Sequence, residues 1–134
     1  MYIYTIMPDI GMGEYAWMKK GDESSNGIGS NVGDAYGWYG NHLISNELAS
    51  EFVAWTIEFE RETRPTPEEN TAFDWSKFHA RGLALCWQLK TELGADVTVI
   101  YEKPIEDPNC RVDERQEVLQ DGSLRRLRSR RRGG

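Results

Sequence analysis

Two apolar stripes at helical spacing constrain this chain more than any other feature. Ile44, Leu48, Phe52, Trp55 and Phe59 recur at intervals of four, four, three and four residues. That period sets all five on one face of a helix. Trp75, Phe78, Gly82, Leu85, Leu89 and Leu93 form a second stripe, with Cys86 at its edge. A helix with one broad apolar face must bury it against another element. Two such faces in 134 residues predict one modest shared core.

The helix boundaries are also marked. The first helix is predicted over residues 43–60, with Ser45 or Asn46 as its cap. It ends before Pro65, whose ring disfavours helix in the residue ahead of it, and Arg64-Pro65-Thr66-Pro67 makes a stiff connector. The second is predicted over residues 74–93. Asp74 is the natural N-cap, although Thr71 with Asp74 three residues later also fits a capping box. Gly94 is the natural stop. Gly82 interrupts the second stripe at a cost of up to about 1 kcal/mol of helix propensity. Close approach of another element explains a glycine at that position.

Strand patterns flank the helices. Residues 1–7 are aromatic and β-branched on both faces, which suits a central strand covered on both sides, or one whose second face meets a partner. Residues 8–13 read as a turn. Residues 14–19 then give a second strand, and the two predict a hairpin. Residues 95–101 alternate Val97, Val99 and Tyr101 against Thr98 and Ile100, and Lys103-Pro104 ends the run. Residues 104–108 are an acidic turn. Asp121-Gly122 between short apolar runs is the signature of a two-residue type I′ hairpin turn. In that register Glu117 faces Arg126. The element order predicts an α+β fold: a small, mainly antiparallel sheet with two helices packed on one face. Residues 1–110 read as a single acidic domain, and 111–134 as a hairpin and a mobile Arg-rich tail.

Residues 20–42 hold six of the thirteen glycines and end in Tyr36, Trp38 and Tyr39. A structureless loop of this length is uncommon in a compact domain and is often functional. Its aromatic end is expected to pack on the body or on a ligand. Gly27, Gly29 and Gly33 miss the dinucleotide-loop spacing by one residue, and Asp22-Glu23 carries the wrong charge for phosphate.

Charge is unevenly distributed. Residues 1–110 hold 8 basic and 18 acidic side chains, a net of −10; residues 111–134 hold 8 and 4, a net of +4; the whole chain is at −6. Part of the acid is organised. Glu47, Glu51, Glu58 and Glu62 lie within about 60° of one another around the first helix, flanking its apolar stripe. No Lys lies four residues away to relieve their repulsion. Such a row is either a solvated rim or a surface that meets a basic partner.

No catalytic set emerges. Cys86 and Cys110, with His42 and His79, are too few and too scattered for a structural metal site. His79 and Cys86 are seven residues apart on one helix, about 10 Å along its axis, and cannot touch. His79 reads as a boundary histidine. Glu58, Glu60, Glu62, Glu68, Glu69 and Asp74 offer many carboxylates but no distinguished pair in an apolar setting. Neither cofactor nor metal is expected. Met1 leads straight into Tyr2-Ile3-Tyr4, unlike a signal peptide, and no run of about 18 apolar residues marks a membrane span. A cytoplasmic protein with reduced thiols is the expectation.

The leading functional reading is a binding protein of inhibitor or immunity type. It would meet another protein's basic surface through Glu47, Glu51, Glu58 and Glu62, with Trp38, Tyr39 and Trp87 as aromatic anchors. Trp87 lies about 150° from the centre of its helix stripe, so it is either such an anchor or part of a second buried layer. Two alternatives stand beside this reading. One is a small-ligand binder or enzyme at the Gly-rich loop, lined by Tyr36, Trp38, Tyr39 and His42. The other is a nucleic-acid accessory protein using Arg125, Arg126, Arg128, Arg130, Arg131 and Arg132. Without aromatic residues for base stacking, that tail would bind phosphates in a salt-sensitive, non-specific way.

Overall fold

In a computed structural model, residues 2–8, 16–20, 30–31, 33–34, 37–38, 44–104, 106–108 and 115–127 are described. Strand β1 (Tyr2–Ile6) is followed by β2 (Ala16–Lys20). Three two-residue strands come next: β3 (Ser30–Asn31), β4 (Gly33–Asp34) and β5 (Gly37–Trp38). Helix α1 (Asn46–Glu62), a 3-10 turn (Pro67–Asn70) and helix α2 (Trp75–Leu93) form the middle of the chain. Strands β6 (Val97–Glu102), β7 (Arg115–Val118) and β8 (Leu124–Arg126) close it. The order in the main sheet is β3-β2-β1-β6-β7-β8, and β4 pairs with β5 separately. Among the described residues, only β1 against β6 is parallel within the main sheet. The mainly antiparallel α+β architecture with both helices on one face is therefore present. The glycine-rich stretch is not structureless throughout, because β3 extends the sheet beside β2.

β1 is a central strand buried on both sides. Tyr4 and Ile6 join the core beneath the helices, and Ile3 packs with Ile100 and Leu127 on the opposite face. This explains why its sequence has no polar alternation. The helix-side core unites Leu48, Phe52, Trp55 and Phe59 of α1 with Trp75, Phe78, Leu85 and Leu89 of α2, over Val97, Val99, Tyr101 and Val118.

Gly82 sits where the layers come closest. A Cβ there would lie 2.6 Å from Trp55 Cζ2 and 2.8 Å from Tyr101 Cε1. The glycine's propensity penalty is thus the condition for α2 to settle against both rings. Trp55 stacks on Phe78 at 4.7 Å, and its indole N–H donates to the Phe78 carbonyl at 3.1 Å. The largest core ring therefore buries its one polar atom with a partner. At the far end of α2, Gly94 adopts φ +89° and its N–H donates to the Lys90 carbonyl, which stops the helix.

The terminal hairpin corrects the sequence reading by one residue. Glu117 faces Arg125, not Arg126, and Val118 faces Leu124. The Gly122 N–H donates to the Leu119 carbonyl, and the Leu119 N–H donates to the Ser123 carbonyl. The loop therefore holds three residues, 120–122, with Gly122 at φ +89°. A three-residue loop ending in a left-handed glycine shifts the register relative to a two-residue turn. Charge matching survives the shift: Arg125 Nε donates to Glu117 Oε1 at 2.9 Å.

Candidate functional site

The exposed side of α1 is set by what its other side must do. Leu48, Phe52, Trp55 and Phe59 are wholly buried, and Thr56 and Thr63 are buried beside them. That fixes the helix's rotation about its own axis. Glu47, Glu51, Glu58 and Glu62 are all exposed along one flank as a result. Arg61 is also exposed, three residues after Glu58. Ile57 is 44% exposed elsewhere on the outer surface of the helix.

The start of α1 is held by a carboxylate from α2. Ser45 is the N-cap: its Oγ accepts from the Leu48 N–H at 3.2 Å. Glu92 accepts from the Ser45 N–H and from the Ser45 hydroxyl, each at 2.8 Å. A negative group at a helix start also meets the positive end of the helix dipole. The acidic row therefore rides on a helix anchored at its N-terminus and along its core stripe. Asp74 caps α2 as read from the sequence, accepting from the Lys77 N–H at 3.1 Å.

The other sequence-predicted residues are distributed as follows. Trp38 contributes its backbone to β5, opposite Gly33. Tyr36, Tyr39, His42, Cys110, Arg128, Arg130, Arg131 and Arg132 lie outside the described residues, so the proposed loop pocket and most of the Arg-rich tail do too. Arg125 and Arg126 are exposed in β8, and Arg125 is ion-paired with Glu117. Trp87 is 47% exposed; its indole N–H donates to the Gln120 carbonyl at 3.1 Å, and its ring lies against Gly122. It is neither a covered core residue nor a detached one, because it fastens the hairpin loop to α2. Leu83, its neighbour in angle, packs partly buried against the main core.

A buried polar chain escaped the sequence reading. His79 lies between the Tyr101 hydroxyl, 2.7 Å from Nδ1, and the Asp107 carboxylate, 2.6 Å from Nε2. All three residues are buried. A carboxylate only accepts, so Nε2 carries a proton; in the neutral imidazole Nδ1 then accepts the tyrosine proton. Trp75 stacks on the imidazole at 5.6 Å. Asn70 completes the corner: its amide donates to the Glu106 and Arg64 carbonyls, and its own carbonyl accepts from Trp75 Nε1. The acidic turn after β6 is therefore drawn inward against α2, with Glu106 and Asp107 both buried. The polar sequence of that turn gave no sign of this. Only the position of His79 at the edge of an apolar stripe hinted that it needed a buried partner.

This chain has the elements of a proton relay but is largely buried, and it ties a turn to a helix. Cys86 is wholly buried as a free thiol, and burial pushes its pKa well above the ordinary range, away from nucleophilic use. Among the described residues, no group of three or more His, Cys, Asp or Glu side chains is placed to hold a metal ion. None of the described helices is long and apolar enough to cross a membrane. Among the described residues, Glu47, Glu51, Glu58 and Glu62 form an exposed acidic flank on α1.

Comparison with known proteins adds one finding. Residues 11–104, which include β2, both helices and β6, match a family model described as Serratia CdiI immunity protein-like. No curated protein and no solved structure matches the chain.

Proposed function

The chain belongs to the Serratia CdiI immunity protein-like family, and from that premise we propose that it neutralises a toxin by binding it through the acidic flank of α1. An immunity protein acts by engaging another protein, so the functional question is which surface does so. The observation that carries the reading is the rotation of α1: its apolar stripe is wholly buried, and Glu47, Glu51, Glu58 and Glu62 all face solvent. Like charges at i,i+4 destabilise a helix by a few tenths of a kcal/mol each. A basic partner relieves that repulsion and turns it into attraction. Complementary fields also speed encounter, which matters for a protein that must reach its toxin before the toxin reaches its target.

On this reading the partner surface is basic, Trp38 and Tyr39 supply aromatic contact to it, and the protein works in the cytoplasm. The test is calorimetric titration of the neutralised toxin into wild-type protein and into the quadruple variant Glu47→Lys, Glu51→Lys, Glu58→Lys, Glu62→Lys. We expect the variant to bind at least about a hundredfold more weakly, a loss of about 2.7 kcal/mol, and the wild-type affinity to fall as salt rises. Equal affinity of a folded variant and the wild type would overturn the assignment of this surface.

A further inference from the structure

We propose that β8 is a second docking edge, one that accepts an extended segment with an acidic and an apolar residue two positions apart. This goes beyond the reading of α1 and does not rest on it. Among the described residues, β8 ends the main sheet in the order β3-β2-β1-β6-β7-β8. The Leu119–Ser123 and Leu127–Arg115 backbone bonds fix the hydrogen-bonding phase of the β7–β8 pair. By alternation Arg125 turns its N–H and C=O toward β7, and Leu124 and Arg126 turn theirs outward. All three β8 residues are exposed. An edge of this kind is a template for another strand.

The side chains say which strand. Leu124 faces Val118 across the pair, and Val118 belongs to the helix-side core. Leu124 and Arg126 therefore share the helix side of the sheet. Leu124 is 42% exposed, and Trp87 brings a second exposed apolar surface to the same corner through its contact with Gly122. Arg126 has no ion-pair partner among the described residues, whereas Arg125 is committed to Glu117 on the opposite face. An incoming antiparallel strand thus meets a cation and then, two residues later, an apolar patch. It matches best when it carries an acidic residue opposite Arg126 and an apolar one opposite Leu124. A second copy of β8 fits poorly in the register centred on Arg125. Antiparallel self-pairing about Arg125 sets arginine against arginine, and like charges directly opposite are destabilising.

The experiment uses the full-length, nitrogen-15-labelled chain and two synthetic peptides. One is acetyl-Thr-Val-Thr-Glu-Thr-Val-Thr-amide; the other has Lys in place of Glu. Amide shifts and hydrogen exchange are followed by NMR. We expect the Glu peptide to shift the β8 amides and to slow exchange at Leu124 and Arg126, leaving the Arg125 amide as protected as before. The Lys peptide should bind about fivefold more weakly, and Arg126→Glu should reverse that order while keeping the native spectrum. Four results overturn the proposal. The Leu124 and Arg126 amides are already protected in the isolated monomer, so the chain fills its own edge. They become protected with rising protein concentration, so a second copy fills it. The two peptides bind alike. Or the Glu peptide leaves β8 unshifted. None of these outcomes depends on the toxin or on α1, so this proposal and the assignment of the acidic row fail separately.

Discussion

Trp55 and Gly82 are fitted to each other: the indole of one occupies the space that a Cβ on the other would need, 2.6 Å from that position. Tyr101 closes the same space from the sheet, with its Cε1 2.8 Å away. Neither ring has a flexible end to move aside. Gly82→Ala should therefore destabilise the protein by about 1–3 kcal/mol through overpacking, despite the gain of about 1 kcal/mol in helix propensity. Urea unfolding at constant m-value measures this. A more stable Gly82→Ala variant would show that propensity wins and that the close approach is loose.

His79 should be worth more than its boundary position implies. His79→Phe keeps a ring beside Trp75 and removes both hydrogen-bonding nitrogens from Tyr101 and Asp107. We expect a loss of about 1–3 kcal/mol. Tyr101→Phe in the same background should cost less than it does in the wild type, because its partner is already gone. Strictly additive losses would mean that the three groups do not act as a chain.

The α1 cap joins the two helices and can be tested as a pair. Ser45→Ala should cost about 1 kcal/mol. Glu92→Gln should cost less and should lose its effect at high salt, since part of its contribution is charge at a helix start. A double-mutant cycle should show coupling between Ser45 and Glu92. Zero coupling would reduce Glu92 to a bystander.

The hairpin loop carries a pH signature. Hydrogen bonds from the Ser123 hydroxyl and then from the Ser123 N–H hold the Asp121 carboxyl below its ordinary pKa. A lowered folded-state pKa means that the contribution is fully present above the unfolded value, about 3.9, and is lost as pH falls through the folded value. Titrating the Asp121 carboxyl by NMR should place its midpoint below about 3.9. Asp121→Asn should remove that acid-range dependence of hairpin order. A midpoint at the ordinary value would mean the loop hydrogen bonds do not persist in solution.

Much of the architecture was readable in the chain. The stripes of α1 and α2, the caps at Ser45 and Asp74, the stop at Gly94 and the doubly apolar β1 are all local patterns, and each follows from what one element must bury or cap. Gly82 was readable as a required close approach, because a glycine in an apolar stripe has to be explained by a neighbour. The acidic row was readable because a helix's buried face determines its exposed one.

What remained hidden depends on distance in the sequence. Asp107 meets His79 across 28 residues, and Glu92 meets Ser45 across 47. No periodicity links such pairs; they meet only after the helices lie down on the sheet. The hairpin register was missed for a subtler reason. Asp-Gly favours a turn, but the backbone hydrogen bonds that close it decide whether two or three residues lie in the loop. Trp87 shows the same division. Its sequence position says that it leaves the core stripe, and only the folded hairpin supplies the Gln120 carbonyl that holds it. Local propensity and burial thus determined the elements and their exposed faces, whereas the polar ties that join elements were decided by packing, because a buried donor must find its acceptor wherever the fold brings one.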